Sequence, residues 1–164
     1  MPFAYYARLS RRDQATYRRS DASVEIRLPQ PALLHPFVAG LREALEADDR
    51  AAVALACRNL VRGLTLMLEA PPAAVEVLPV RPSLRDSGEL HGLYTAEDGR
   101  APRIRLWMRT VKQRRVVAFR TFLRTLLHEV VHHLDYTRLK LGDSFHTEGF
   151  FKRESSLFRQ LVPD

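Results

Sequence analysis

One apolar segment, TLLHEVVHHLD at residues 125–135, constrains the fold of this chain more than any other. Apolar residues recur at helical spacing from Val116 to Leu134, which predicts a long helix that is buried on nearly every side. The segment nevertheless carries three of the six histidines of the chain and two carboxylates. Because imidazoles and carboxylates are costly to bury without partners, these side chains must meet one another or a shared ligand.

Two of these histidines have the spacing of metal ligands on a helix. His128 and His132 are four residues apart, slightly more than one helical turn, so both imidazoles project from one face. At that spacing two ring nitrogens can converge on one Zn²⁺ ion. Glu129 is displaced around the helix and is better placed to reach a water on the metal than to bind the metal. This is the H-E-x-x-H arrangement of zinc peptidases.

A catalytic zinc site usually has three protein ligands and one open position, so a third ligand is required. The best candidate is His146, which follows the turn at Gly142 and can fold back over the first two ligands. Glu148 and Glu154 are the alternatives, because a carboxylate from a following helix can also bind zinc.

Other polar residues of this region are predicted to support the ligands. His133 is adjacent to His132 and points about 100° away from it, which favours a supporting or surface position. Asp135 and Asp143 are candidate acceptors that can orient a ligand imidazole, although a cap or a solvated role explains either residue equally well. The metzincin pattern is excluded, because Asp135 and Arg138 replace its glycine and its third histidine.

The remaining patterns predict an α+β fold with an N-terminal layer of helices. The other predicted helices are residues 11–19, 31–47, 50–69 and 146–161, the last capped by Asp143 or Ser144. The predicted strands are residues 23–29, 73–80, 89–96 and 102–110. A turn at Asp98-Gly99 joins the last two strands into a hairpin, which leads into the histidine-bearing helix at about 113–139.

This order of elements resembles the SprT-like zinc metallopeptidases, a minimal branch of the zincins. The matching residues are GLY at 92–94, RIRLWM at 103–108, LLHEVVHHLD at 126–135 and an H-x-x-x-F element beginning at His146. The resemblance covers about residues 74–162. It implies a zincin-like fold, in which a small antiparallel sheet packs on the H-E-x-x-H helix.

The resemblance also implies a division of the chain and a set of roles. Residues 73–164 would form the metallopeptidase domain, and the helical region 1–72, which has no match in the family, would pack on the same core. His128, His132 and His146 would bind Zn²⁺, and Glu129 would be the catalytic base. The cysteine zinc ribbon found in many relatives is excluded, because the chain has one cysteine.

The predicted reaction is hydrolysis of a peptide bond by a water that the metal activates and Glu129 deprotonates. The substrate, a peptide or protein, is expected to lie extended along a sheet edge, for which the strand 89–96 is the candidate. His91 or Tyr94 on that strand could then donate a hydrogen bond to the developing oxyanion, although Tyr94 is also explained as a packed strand aromatic.

Composition leaves a second hypothesis open. The net charge of +7 and the pI of about 10.2 motivate a proteolytically silent zinc module that binds nucleic acid or a protein partner. A purely structural zinc site is a third option, against which Glu129 argues, because such a site needs no base. No apolar run reaches the length of a membrane span, and a cytoplasmic location is the default expectation.

Overall fold

The structure is a computed structural model that describes residues 1–84 and 88–163. Helices α1 to α5 are Arg11–Ala22, His35–Glu46, Arg50–Met67, Phe119–Thr137 and Glu148–Leu161. Strands β1 to β5 are Ala74–Val80, Ser83–Leu84, Gly88–Glu89, Gly92–Thr95 and Arg103–Arg109. Short 3-10 helices at Ala4–Arg8 and Pro31–Leu34 precede α1 and α2. The α+β class is thereby confirmed.

The main sheet is mixed, with the strand order β1-β5-β4. β4 pairs antiparallel with β5, so the predicted hairpin is present, with Gly92 opposite Leu106. β1 pairs parallel with β5, with Val75 opposite Ile104, and the expectation of an antiparallel sheet is wrong for this strand. The physical reason is the length of the connections. The short segment 96–102 between β4 and β5 favours antiparallel pairing, whereas the long segment between β1 and β5 lets these two strands run in the same direction.

One hydrophobic cluster contains residues of the main sheet, of helices that precede β1 in the sequence and of helices that follow β5. β1 and β5 contribute Val75, Val77, Ile104, Leu106 and Met108, all of them buried. The same cluster contains buried residues of α2, α3, α4 and α5. The helical region before β1 and the histidine-bearing helix α4 are therefore held by a shared core.

The predicted strand at residues 23–29 is wrong. Ile26 and Leu28 are buried there as an alternating pattern requires, but the segment is an extended stretch that bonds to α5 side chains. The Leu28 N–H donates to Gln160 Oε1 at 2.8 Å, and Gln160 Nε2 donates to the carbonyl oxygen of Ile26 at 2.7 Å. Alternating apolar residues indicate that one face of a segment is buried. They do not indicate whether its backbone bonds to a neighbouring strand or to the polar side chains of a helix.

Helix α4 is shorter than its apolar pattern predicted. It begins at Phe119 rather than near residue 113, because the preceding residues form a turn that is closed by a bridge between Arg109 and Val116. The helix ends at Thr137, and Lys140 in the segment that follows has a left-handed backbone, with a φ of 54°. No helix in the described part of the chain has the length and apolarity that crossing a membrane requires.

Helices α1 and α5 cross in direct backbone contact at Gly149. A Cβ atom at Gly149 would lie 2.5 Å from the carbonyl oxygen of Ser20 and 2.6 Å from that of Asp21. The Gly149 N–H donates to Asp21 Oδ1 at 3.0 Å. Glycine is needed here because the neighbouring atoms are backbone and cannot move aside.

We expect Gly149→Ala to lower the free energy of unfolding by about 1–3 kcal/mol, the usual cost of forcing an extra carbon into a packed contact. The matched control is Gly40→Ala in α2, where a Cβ would meet nothing within 4 Å. That substitution should raise the free energy of unfolding by about 0.5–1 kcal/mol, because alanine favours a helix interior. Urea denaturation followed by circular dichroism measures both, and equal effects would contradict the contact.

Candidate metal centre

Three imidazole rings converge beside the C-terminal half of α4. The Nε2 atom of His146 lies 3.1 Å from that of His128 and 3.0 Å from that of His132. One nitrogen from each ring lies within 4.8 Å of the others, close enough for all three to hold one metal ion. Three nitrogens bound tetrahedrally to Zn²⁺ would be roughly 3.3 Å apart, so the observed separations are near those of a ligand set.

The first ring is oriented by a carboxylate from α5. His128 Nδ1 lies 2.8 Å from Glu154 Oε1, and the other oxygen of Glu154 accepts from Arg124 Nη1 at 3.3 Å. A carboxylate can only accept, so Nδ1 of His128 carries the proton and its Nε2 presents a lone pair to the site. Glu154, an alternative third ligand in the sequence, therefore supports a ligand and does not itself complete the cluster.

The second ring is oriented through a serine. The hydroxyl of Ser144 donates to Asp135 Oδ2 at 2.7 Å, so its oxygen is left to accept from His132 Nδ1, also at 2.7 Å. His132 Nε2 consequently presents a lone pair as well. Asp135 is fully buried and forms an ion pair with the equally buried Arg153 at 3.0 Å. The predicted action of Asp135 on a ligand imidazole is thus indirect.

The electrostatics of the cluster favour neutral imidazoles. Burial, followed by the positive charges of His128 and His146, lowers the pKa of His132 to about 3. Burial and His128 also lower the pKa of His146. Lone pairs on His128 and His132 therefore face a third nitrogen at hydrogen-bond distance, and one proton on His146 cannot satisfy both fully. A metal cation could accept the lone pairs of all three nitrogens, so this set of donor atoms fits a metal.

The third ring comes from the segment between α4 and α5. His146 directly precedes Thr147, whose side chain accepts from the Phe150 N–H and caps α5, so the expected capping by Asp143 or Ser144 is wrong. The carbonyl of His146 accepts a hydrogen bond from the Tyr5 hydroxyl at 3.0 Å. The alternative ligand Glu148 is instead exposed and pairs with Lys152 and the amino terminus.

The fully buried Phe150 packs against all three imidazoles. Its ring centroid lies 4.8 Å from that of His128, 4.7 Å from that of His132 and 5.0 Å from that of His146. An apolar ring at this position keeps one side of the cluster dry and limits rotation of the ligands.

The carboxylate of Glu129 is buried against strand β4. A Cβ at Gly92 would lie 2.8 Å from Thr125 Cγ2 and 3.0 Å from Glu129 Oε1, so glycine lets the strand pass α4 without displacing either side chain. The backbone N–H of Tyr94 donates to the carboxylate. Burial raises the pKa of Glu129 to about 7, with His128 and this hydrogen bond acting in the opposite direction. The carboxylate thus faces the cleft from a position fixed by the sheet.

The hydroxyl of Tyr94 is engaged away from the cluster. His133 is buried, with Nε2 at 2.7 Å from the carbonyl oxygen of Pro71 and Nδ1 at 2.9 Å from Tyr94 Oη. Since a carbonyl only accepts, Nε2 carries the proton and the Tyr94 hydroxyl donates to Nδ1. His133 is therefore a link between α4 and the start of β1, and the predicted surface alternative for it is wrong.

The other two predicted supporting residues lie at the edges of the site. Asp143 Oδ1 accepts from the Tyr136 hydroxyl at 3.1 Å and from the Ser144 N–H at 2.8 Å, and so positions the serine rather than a histidine. His91 is exposed and lines a cleft of about 520 Å³ that also borders His128 and Glu129.

Several residues of the site were not identified from the sequence in their actual roles. Ser144 was considered as a helix cap and Glu154 as a ligand, while Arg153 was not considered at all. A buried arginine has no local sequence signal, because its partners come from α1 and α4. Phe150 did have a signal, the H-x-x-x-F spacing after His146, which places it on the first turn of α5.

No protein-family model, curated protein or solved structure gives a significant match to this chain.

We expect Ser144→Ala to weaken metal binding by on the order of tenfold, because loss of the hydroxyl breaks the connection between Asp135 and His132. Competition between the protein and a chromogenic chelator for Zn²⁺ or Co²⁺ measures the affinity. The control is Ser155→Ala, which removes a nearby hydroxyl that accepts from Arg124. Equal affinities for the two variants would show that Ser144 does not orient the ligand.

Proposed function

We propose that the chain is a zinc-dependent metallopeptidase of the H-E-x-x-H type. The single observation that carries the proposal is the convergence of three imidazoles beside the buried carboxylate of Glu129. Three imidazole nitrogens suit Zn²⁺ among the common metals, and they leave the fourth tetrahedral position open. This arrangement also supports the resemblance to SprT-like enzymes and a zincin-like fold.

Each residue has a defined task in the proposed reaction. His128, His132 and His146 would hold Zn²⁺, which when bound makes a water more acidic and polarises the scissile carbonyl. Glu129 accepts the proton of the attacking water and passes it to the nitrogen of the leaving amine. Gly92 and the Tyr94 N–H hold the Glu129 carboxylate in the cleft during both transfers.

The position of β4 at an edge of the main sheet favours a peptide as the substrate. β4 is a terminal strand of the main sheet, and the part of the cleft beside Tyr94 is lined by Glu129 and all three histidines. An extended peptide can pair with such an edge through its backbone, which brings a carbonyl near the cluster whatever the side chains are. Since the Tyr94 hydroxyl donates to His133, the role of oxyanion donor is not assigned to it.

The nucleic-acid alternative finds less support in the placement of basic residues. Arg103 and Arg105 on β5 both pair with Glu76, and Arg109 pairs with Asp48. These arginines are therefore partly neutralised and do not form a free basic strip. A salt titration of DNA binding tests this alternative, because phosphate contacts make the affinity fall steeply as salt increases.

We expect Glu129→Gln to reduce casein or peptide hydrolysis by about 10²–10⁴-fold while zinc remains bound, because the amide cannot accept the proton. Activity is followed by fluorescent peptide release, and zinc by elemental analysis of the purified protein. Glu148→Gln, which changes an exposed glutamate on α5, is the matched control and should retain activity. Equal activity of Glu129→Gln and the wild type would refute the proposed role.

A second variant separates metal binding from proton transfer. His146→Ala should lose both zinc and hydrolysis, since two ligands hold the ion poorly. Removal of the metal with a chelator should abolish wild-type hydrolysis, and readdition of Zn²⁺ should restore it. Activity that survives in His146→Ala would point to a contaminating protease.

A further inference from the structure

The larger part of the cleft has a pair of arginines at its border. It opens beside His128 and Glu129, has a volume of about 520 Å³, and is lined by Leu90 to Gly92 at the start of β4. The N-terminal half of α4 contributes Arg120 and Arg124 to the same lining. A substrate group that enters here lies next to the reacting carbonyl and meets two cations.

Both arginines are held over one aromatic ring. The guanidinium carbon of Arg120 lies 4.9 Å from the ring centroid of the buried Phe158, and that of Arg124 lies 4.4 Å from it. Contacts of this kind stabilise a cation and fix the plane of its guanidinium group. Arg124 already donates from Nη1 to Glu154 and Ser155. The N–H groups of Arg120 lie in the plane of its guanidinium group and can donate to a bound anion.

The two arginines differ in their carboxylate partners. Arg124 pairs with Glu154, whose second oxygen binds His128, so its charge is compensated inside the site. Within residues 1–84 and 88–163, no carboxylate forms an ion pair with Arg120. Among the described arginines that line the cleft, Arg120 is therefore the one whose charge a ligand can neutralise. A carboxylate is the best match, because two parallel N–H groups can donate to its two oxygens.

The direction of β4 indicates which residues of a paired peptide, those before or those after the cleaved bond, lie in this cleft. Leu90 to Gly92, at the start of β4, line this cleft, whereas Tyr94, further along β4, lines the opposite part with Tyr136 and Ser144. Antiparallel pairing is the more stable arrangement for an added strand. A peptide that runs antiparallel to β4 passes Tyr94 first and reaches this cleft with the residues that follow the cleaved bond.

We infer, on the premise of the peptidase function proposed above, that this cleft selects substrates with an acidic side chain directly C-terminal to the cleaved bond. Arg120 is the specificity-determining residue, and Arg124 supports it from the same aromatic ring.

The test uses peptides that differ at one residue, Glu, Gln or Lys, and that have amidated C termini. The wild type should cleave the Glu peptide with a kcat/KM on the order of tenfold above that of the Lys peptide, since a charge-assisted pair replaces a repulsion. Arg120→Gln should abolish the preference, and Arg120→Glu should reverse it. Mass spectrometry of the products identifies the cleaved bond, and a preference on its N-terminal side would overturn the assignment.

A further peptide distinguishes two sources of the carboxylate. It has alanine at the selected position and ends there with a free carboxyl group. Faster cleavage of this peptide than of the internal Glu peptide would assign the cleft to chain ends and overturn the selection of an acidic side chain.

The control for general electrostatics is Arg62→Glu. Arg62 is exposed on α3 and lines a groove beside Pro72, and its substitution changes the net charge by as much as Arg120→Glu. The Glu preference should persist in this variant. Loss of the preference in both variants would mean that long-range charge attracts the acidic peptides, which would overturn the inference.

A binding measurement separates the inference from the peptidase proposal. The zinc-loaded Glu129→Gln protein should bind the fluorescent Glu peptide on the order of tenfold more tightly than the Lys peptide, and Arg120→Glu added to it should reverse this order. Selective binding without cleavage by the wild type would refute the peptidase and retain the selective cleft. Equal binding of the Glu and Lys peptides would refute the cleft, whatever the activity.

Discussion

The buried ion pair between Asp135 and Arg153 is the interaction on which the arrangement of the site depends. Arg153 on α5 also donates to the carbonyl oxygens of Ser20 and Ser23 at the end of α1, and Asp135 accepts from Ser144. Removing one partner of such a pair costs about 3–5 kcal/mol, because the other charge stays buried. The orientation of His132 is thus connected, through the side chains of Ser144, Asp135 and Arg153, to the backbone at the end of α1.

This connection gives the region before β1 a role that its sequence does not indicate. The extended segment at Ile26 and Leu28 bonds to α5, and the Tyr5 hydroxyl binds the carbonyl of His146. The region therefore fixes both α5 and the segment that carries the third imidazole. Under the proposed function, a site pre-set by packing would require little rearrangement to bind a metal, which favours a fixed catalytic geometry.

Sequence reasoning was most successful where the structure is local. The α+β class, helix α4 and the β4–β5 hairpin follow from periodicity and from one turn, and each is present. It failed for the strand predicted at 23–29 and for the direction of β1, where the pairing partner lies far along the chain. Local sequence patterns indicate which side chains are buried and which way they point. The segment with which a strand pairs depends instead on the packing of the whole core. The family resemblance, the zinc and the hydrolase activity remain proposals.

The sequence by itself determined that His128 and His132 share one helix face with Glu129 beside them, because helix geometry alone relates residues one turn apart. Only the tertiary structure decided that His146 completes the cluster while Glu154 supports His128. That choice depends on where the capped start of α5 lies relative to α4. Contacts of α5 with α1, and of its Phe150 with the imidazoles, set this position, and no spacing within the sequence encodes it.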